Sequence, residues 1–390
     1  MSENVTFAAV GDISFSGGIG ERLEREGPSA LFYAVRPILA QAHLCFANHE
    51  SVYTPPDFPN DQRDPRALWG PLAGVEALRA AGFHVLNLAQ NHVYDCGSVG
   101  FRYTRRVLEG AGFVTLGVGE SEEEARALRV VERNGVRFGF LAYLEDCNYS
   151  IGVQRPAVAY CERETVVADI LAARPQVDIL VVSVHADLEF SDAPCPQRQE
   201  DGRAFAEAGA DLVLMHHPHV PQGIERWGKS LICYSLGNFT FELGAYQRNG
   251  SPRTSDSFIL LVSCSRQGVE AFRRVPCRLP PEPGPVTPLQ GAPAEHLLRD
   301  FERLDAILAD PCQMAAIWEA RVWQALRASW KLIRQHEDPD EAFAKTLWRF
   351  HALGEHKRWM ETAIRLSWKA HRARMVECPE HVRPHAVVGF

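Results

Sequence analysis

A chain of 390 residues, 46% apolar and 23% charged, has an ordinary globular composition and is long enough for one large α/β domain with an accessory piece. Its formal net charge of -8 gives no reason to expect nucleic acid as the main partner. There is no apolar run of the roughly 18 residues a membrane span needs, no secretory signal over residues 1–7 and no CxxC among the ten cysteines, so a reduced, cytoplasmic chain without a membrane partner is expected.

From Val5 to about Cys277, strand and helix patterns alternate. Val5–Val10 predicts a strand ending at Gly11-Asp12. A helix is expected next, with Pro28 near its start and Leu31, Val35, Ile38 and Leu39 as its apolar face. His43–Ala47 reads as a strand ending at Asn48-His49-Glu50, Leu72–Ala81 as a helix, and Phe83–Leu88 as a strand ending at Gln90-Asn91-His92. Val99–Leu108 is helical in pattern. Leu128–Val131 and Val136–Leu141 predict a hairpin across Asn134-Gly135, because both turn residues tolerate positive φ. Glu162–Ala173 predicts a helix, and Val177–Val184 a β-branched strand ending at His185. Arg198–Ala208 predicts a helix and Asp211–Met215 a strand ending at His216-His217; further strands are expected at Leu231–Tyr234, Ser257–Val262 and Val269–Val275.

This first region, residues 1–278, precedes a proline-rich stretch at 279–293 that reads as a semi-rigid linker. Residues 294–390 read as a helical extension. Leu297, Phe301, Leu304 and Leu308 share one helix face, as do Trp323, Leu326, Trp330 and Ile333, and then Phe343, Leu347 and Phe350.

Metal-type side chains follow the strands repeatedly. In open α/β sheets, sites form beyond the carboxyl ends of strands, where residues distant in sequence converge. Asp12 offers a hard oxygen, and Gly11 lets the chain turn beside it. Glu50 can bridge two cations at the roughly 3.5–4 Å separation that two-metal hydrolysis uses. Asn91 offers a neutral carbonyl ligand, and the adjacent His92 suits a general acid, with Asp95 close by. His185 ends the most apolar strand, and Asp187 and Glu189 make the following loop polar. His217 and His219, two residues apart after a strand, can reach neighbouring metals.

The expected ligands are therefore Asp12, Glu50, Asn91, His185, His217 and His219, holding two divalent ions drawn from Mn, Zn, Fe or Mg. Asp95, Glu189, His216 and Asn238 are expected behind them or against substrate. Mixed oxygen and nitrogen donors argue against a closed thiolate zinc site and for an open catalytic site, where bound water becomes hydroxide near neutral pH. The sequence has no Gly-x-Ser-x-Gly elbow, no P-loop and no Gly-x-Gly-x-x-Gly.

Taken in order, Gly11-Asp12, Asn48-His49-Glu50-Ser51, the run Leu88–Gly97, His185-Ala186-Asp187-Leu188-Glu189, the run Ala208–Val220 and Tyr234–Phe239 resemble the CapA family. That family is named for poly-γ-glutamate capsule biosynthesis and belongs to the calcineurin-like metallophosphatases. The resemblance covers roughly Val5 to Val275. It implies a four-layer α/β fold, two packed sheets with helices outside, and a dinuclear centre on the six ligand positions above. It puts His92 in the place of the substrate-facing acid. Four departures stand out. Ser14 replaces the imidazole of the Asp-x-His pattern of the wider group, so the first metal is expected to have fewer protein ligands. His49 replaces a Leu and points opposite to Glu50 if the strand continues. Gln90 replaces an Asn. Ala186 and Asp187 replace Trp and Gly, which reshapes the loop above the metals.

The expected function is a metal-dependent hydrolase acting on a small-molecule or peptide-like anionic substrate, a phosphoester by analogy of fold alone. The alternatives are hydrolysis of an amide, including a γ-glutamyl amide, and a non-catalytic binding or assembly protein on the same scaffold. Capsule proteins of the family are typically membrane-anchored, and no anchor is read here, so capsule assembly itself is not the expectation. Lys345 to Arg374 is basic and carries Trp348, Trp359 and Trp368, which suggests a lid or a homo-oligomer interface.

Overall fold

The aliphatic and aromatic runs form two mixed β-sheets in the computed structural model, which describes residues 4–59, 67–145, 156–244, 252–338, 340–341, 343–344, 346 and 357–365. In chain order the strands are β1 (Val5–Ile13), β2 (Leu44–His49), β3 (Val85–Asn87), β4 (Val114–Leu116), β5 (Val118–Gly119), β6 (Arg129–Arg133), β7 (Val136–Leu144) and β8 (Ala157–Val158). They continue with β9 (Ile179–His185), β10 (Leu212–His216), β11 (Ile224–Trp227), β12 (Ser230–Cys233), β13 (Asn238–Thr240), β14 (Asp256–Ser265), β15 (Gly268–Arg278) and β16 (Thr287–Pro288). One sheet runs β16-β15-β14-β1-β2-β3-β4, with β13 also paired to β1; the other runs β11-β12-β10-β9-β7-β6; β5 and β8 form a small ribbon.

The centre of each sheet is parallel: β1 to β4 in the first, and β7, β9, β10 and β12 in the second. Parallel strands bring equivalent ends side by side, and here those ends carry Asp12, His185 and His216. Helices Ala73–Ala81 and Gly97–Gly110 accompany the first sheet, and helices Arg163–Ala173 and Pro196–Ala208 the second. The sheets face each other through aromatic side chains. Phe7 of β1 stacks on Phe138 of β7 at 6.0 Å, and Phe46 of β2 on Phe140 at 6.5 Å. All four rings are fully buried. Each such burial contributes roughly 1.5–3 kcal/mol, so this seam holds the two halves of the site in place. The turn Asn134-Gly135 joins β6 and β7 with both residues at positive φ, as their types predict.

Two local expectations change. The helix expected after Pro28 is broken into a 3-10 turn, Pro28–Ala30, and a short helix, Arg36–Leu39. Pro37 lacks an N–H, and its ring opposes the carbonyl four residues back, so no continuous helix passes it. Leu31, Val35 and Leu39 are nevertheless buried as their pattern implies. A helix at Gly17–Glu26 was not foreseen, because Gly17 and Gly18 are poor helix formers; it buries Ile19 and Leu23.

The proline-rich stretch packs instead of spanning open space. Leu279 and Val286 are buried, Arg22 Nη1 donates to the Pro283 carbonyl at 3.0 Å, and Thr287–Pro288 joins the sheet as β16. The following helix, Gly291–Leu308, buries Leu297, Phe301, Leu304 and Leu308; Phe301 meets Phe258 at 5.1 Å, and Arg274 Nη1 donates to Asp305 at 2.8 Å. The chain divides into compact units Met1–Trp318 and Glu319–Phe390, so the break lies downstream of the boundary near Ala294 that the proline composition suggests.

Within the second unit, Trp323, Leu326, Trp330, Ile333, Phe343 and Met360 line an apolar groove of about 590 Å³. Arg365 pairs with Glu319 at 3.3 Å and Trp359 is buried. Leu347 and Phe350 lie outside the described residues, as do Lys345, Trp348, Arg349, Trp368, Lys369, Arg372 and Arg374 of the basic segment. Among the described residues no helix is long and apolar enough to cross a membrane.

Candidate metal centre

Strand register builds the first side of the site. Asn238 of β13, Asp12 of β1, Asn48 of β2 and Asn87 of β3 stand opposite one another in neighbouring strands. Gly11 permits this alignment: a Cβ there would sit 1.8 Å from the Gly237 carbonyl oxygen, which accepts from the Asp12 N–H at 2.9 Å. Asn48 Nδ2 donates to Asp12 Oδ1 at 2.9 Å, and Asn87 Nδ2 donates to Asn48 Oδ1 at 2.8 Å. The row is a relay of amides that fixes the rotation of one carboxylate.

The second side comes from β9 and β10, where His185 and His216 stand in register. Beyond β10 the backbone enters the left-handed region twice, at His217 (φ 96) and His219 (φ 56). Such conformations cost about 1–3 kcal/mol each in non-glycine residues and persist where the surroundings over-determine them. Here they turn both imidazoles toward the first sheet. His217 N–H reaches Asp12 Oδ2 at 3.4 Å, and His219 Nδ1 lies 3.3 Å from the same oxygen. Asn238 Oδ1 stands 3.0 Å from His219 Nδ1.

The expected ligands converge. His185 Nε2 lies 2.8 Å from Asn91 Oδ1, 3.2 Å from Glu50 Oε1 and 3.1 Å from His217 Nδ1. Three groups of donor atoms are close enough to hold a cation: Glu50, His185 and His217; Asp12, Glu50 and His219; and Glu189, His217 and His219. Clusters of this kind are able to coordinate divalent metals. His92 belongs to none of these groups and is partly exposed, its Nδ1 2.9 Å from Asp95 Oδ2. His216 underlies Asp12, with Nδ1 3.3 Å from Oδ1, and packs on Phe46 at 5.8 Å.

The chemistry of the donor set fits divalent cations. Glu50 is fully buried, and among the described residues neither of its oxygens has a hydrogen-bond partner; His217 Nε2 is likewise buried and unpartnered among them. Leaving a buried polar atom unsatisfied is costly, and a carboxylate far more so. Burial pushes the Glu50 carboxyl well above its usual range, and the nearby Asp12 charge adds to the shift. Burial also pushes Asp12 upward, but hydrogen bonds and charge from His216 and His219 outweigh it and hold the group well below the carboxylate range. Burial, with the neighbouring His217, holds His185 well below its ordinary value, and burial pushes His217 down to about 4. Neutral imidazole is the form that binds metal. His219 is lowered by burial, yet the Glu50 and Asp12 carboxylates overcome this and raise it to about 9. A cation among these residues would relieve the crowding of Glu50 and Asp12.

Several positions differ from expectation or were not foreseen. Asn48 and Asn87 carry the amide relay, yet an Asn at a strand end reads as a turn signal; an Asn inside an otherwise apolar run was the available hint. His49 lies between Phe15 and Tyr53, buried, and neither ring nitrogen has a hydrogen-bond partner among the described residues. Asp187 turns back on its own loop, accepting from Leu188 N–H at 2.9 Å and Cys195 N–H at 2.8 Å. Ser14 bonds to Ser16 at 2.9 Å and joins none of the three groups.

Residues 6–243, more than half of the chain, match the family described as bacterial capsule synthesis protein PGA_cap. The chain is 29% identical over 297 residues to the capsule biosynthesis protein CapA of Bacillus anthracis, covering 73% of this chain and 70% of that one. It is 28% identical over 279 residues to the PGA biosynthesis protein CapA of Bacillus subtilis (strain 168), covering 70% and 72%. Among solved structures, a hypothetical protein from Thermus thermophilus aligns with a TM-score of 0.45 at 16% identity, over 70% of this chain and 100% of its own. A putative 5'-nucleotidase from Staphylococcus aureus aligns with a TM-score of 0.44 at 15% identity, over 77% and 58%. On the family match across residues 6–243, this chain belongs to the bacterial capsule synthesis protein PGA_cap family.

Proposed function

We propose that this protein is a metal-dependent hydrolase with a dinuclear centre on a four-layer, calcineurin-like metallophosphatase scaffold. Its ligands in this reading are Asp12, Glu50, Asn91, His185, His217 and His219. Glu50 is the observation that carries the reading: it is buried, accepts no hydrogen bond at either oxygen among the described residues, and belongs to two of the three cation-sized groups. A carboxylate so disposed suits sharing between two cations.

Two divalent ions bound there would supply a nucleophile at neutral pH and neutralise charge developing on the electrophile. The chain's own residues orient and protonate. Asp95 Oδ2 accepts from the Leu68 N–H at 2.7 Å and lies 2.9 Å from His92 Nδ1, so the imidazole is held from one edge. The opposite edge, Nε2, is the one that can give a proton to a leaving group. Asn238 steadies His219, and the Asn48–Asn87 relay steadies Asp12. Outer groups of this kind orient ligands and tune their basicity.

A phosphoester is the electrophile that fold analogy favours. The names of the Bacillus relatives, which concern capsule and PGA biosynthesis, favour a second: the amide of a peptide-like polyanion, including a γ-glutamyl amide. Both need the same nucleophile. Elemental analysis of protein purified without chelators, then assay with Mn²⁺ against phosphomonoesters, phosphodiesters and γ-glutamyl amides, tests the reading. Two ions per chain and turnover on one class are expected. Metal uptake with no turnover would turn the reading into a binding or assembly role, and no uptake would remove it. A reduced, cytoplasmic setting is part of the same proposal. Self-association through the helices after Ala294 is checked by light scattering of wild-type and Trp330→Ser protein, with a smaller assembly expected for the variant.

A further inference from the structure

Glu189 follows β9 on a loop whose shape is unusually determined. Asp187 (φ 89) and Phe190 (φ 61), which flank it closely, both adopt left-handed backbone. The loop is tied down on both sides of Glu189. The Asp187 carboxylate accepts two N–H groups of its own loop, and the Phe190 N–H donates to the Pro218 carbonyl at 2.8 Å. Further along, Gln222 Nε2 donates to the Ser191 carbonyl at 2.9 Å. Pro218 lies between His217 and His219, so this bond couples the Glu189 loop directly to the turn that aims both imidazoles. Strain of this kind is maintained only where the surroundings enforce it, and here its result is to bring a Glu189 oxygen within 4.8 Å of donor atoms on His217 and His219.

Two observations point from that geometry to a cation. His217 is fully buried and its Nε2 has no hydrogen-bond partner among the described residues, so a donor nitrogen is presented inside the site with none of them to receive it. Ser14 is occupied by Ser16 and brings no nitrogen or carboxylate donor from the end of β1. The geometry points to Glu189 as a direct metal ligand, a third carboxylate that shares an ion with His217 and His219. The inference rests on the dinuclear reading above and extends it, since that reading leaves Glu189 outside the six ligands. It also gives the Asp187 substitution a role: the aspartate closes the loop that delivers Glu189.

The test is calorimetric titration of chelator-stripped protein with Mn²⁺, with electron paramagnetic resonance to separate a coupled pair of ions from an isolated one. Wild type is expected to take up two ions and give the coupled signal. Glu189→Gln keeps the size of the side chain and removes its charge; it is expected to weaken one site by more than about 100-fold, beyond what residues outside the ligand shell usually cause, and to abolish the coupled signal. Glu189→Asp keeps a carboxylate one methylene short, and should bind the second ion more tightly than the Gln variant and more weakly than wild type. This second variant serves as the reading if the Gln protein fails to fold. Retention of two ions and the coupled signal in Glu189→Gln, or wild-type affinity in Glu189→Asp, would overturn the assignment while leaving the dinuclear reading intact. Failure of wild type itself to bind Mn²⁺ would overturn both.

Discussion

Among the six expected ligands, the first sheet brings oxygen donors and the second brings nitrogen, while Glu189 adds a carboxylate on the loop after β9. Asp12 lies near the end of β1, and Glu50 and Asn91 follow β2 and β3, whereas His185, His217 and His219 end or follow β9 and β10. The two sides are also held by different means. Asp12 is oriented by side-chain amides, through Asn48 and Asn87. His217 and His219 are oriented by their own backbone, in left-handed conformations. A carboxylate at a strand end keeps rotational freedom until donors remove it, while an imidazole on an over-determined turn is aimed once the turn forms. Two of the three cation-sized groups, Glu50–His185–His217 and Asp12–Glu50–His219, take donors from both sheets, so they exist only when the aromatic seam of Phe7, Phe46, Phe138 and Phe140 closes.

The division can be broken most severely by removing one ligand from each side. Asp12→Ala and His217→Ala are each expected to lose bound metal and to fall to background turnover, as read by elemental analysis beside an activity assay. Full metal content in either variant would show that one sheet suffices. His92→Asn comes next in size. As a proton donor outside the three cation groups, it should lower kcat by about 10²–10⁴-fold while leaving metal content at the wild-type level. An emptied site in this variant would make His92 a ligand and add a nitrogen to the oxygen side.

Asn48→Leu sharpens the comparison, because it removes the donor that orients Asp12 and spares every ligand. Mn²⁺ affinity should fall by about 10–100-fold in a calorimetric titration. No change would mean that β-sheet register alone places the carboxylate. The smallest effect is expected at Arg253, which pairs with Asp192 at 3.0 Å on the loop after β9. Partly exposed pairs contribute about 0.2–1 kcal/mol, so Arg253→Gln should lower Tm by less than about 4 °C and leave metal content unchanged. A larger fall, measured by calorimetry, would make that loop depend on charge as well as on its backbone.

Much of the frame was legible because it is local. The Asn134-Gly135 hairpin, the β-branched run of β9 and the 3.6-residue periodicity of helix Gly291–Leu308 each declare themselves within a few residues. That Asp12, Glu50, Asn91, His185, His217 and His219 would lie near one another was also legible, since each stands at or just after a strand end and such ends meet in parallel sheets. Short strands were not. β4, β11 and β13 have three to four residues and owe their conformation to partners, so Asn238 reads as part of a turn until β1 pairs with it. The packing of the proline-rich stretch was not legible for the same reason: prolines restrict its backbone but say nothing about the surface that receives Leu279 and Val286.

By itself, the sequence determined which residues would stand at strand ends and what chemistry they would bring, because periodicity, turn types and donor elements are properties of neighbouring residues. Only the tertiary structure decided the rest: the register that sets Asn48 beside Asp12, the left-handed turn that aims His217, the folding back of Asp187 and the reach of Glu189. These depend on contacts such as that of the His217 N–H with Asp12, separated by 205 residues. No local pattern encodes such a contact, since its partners are chosen by the packing of two sheets.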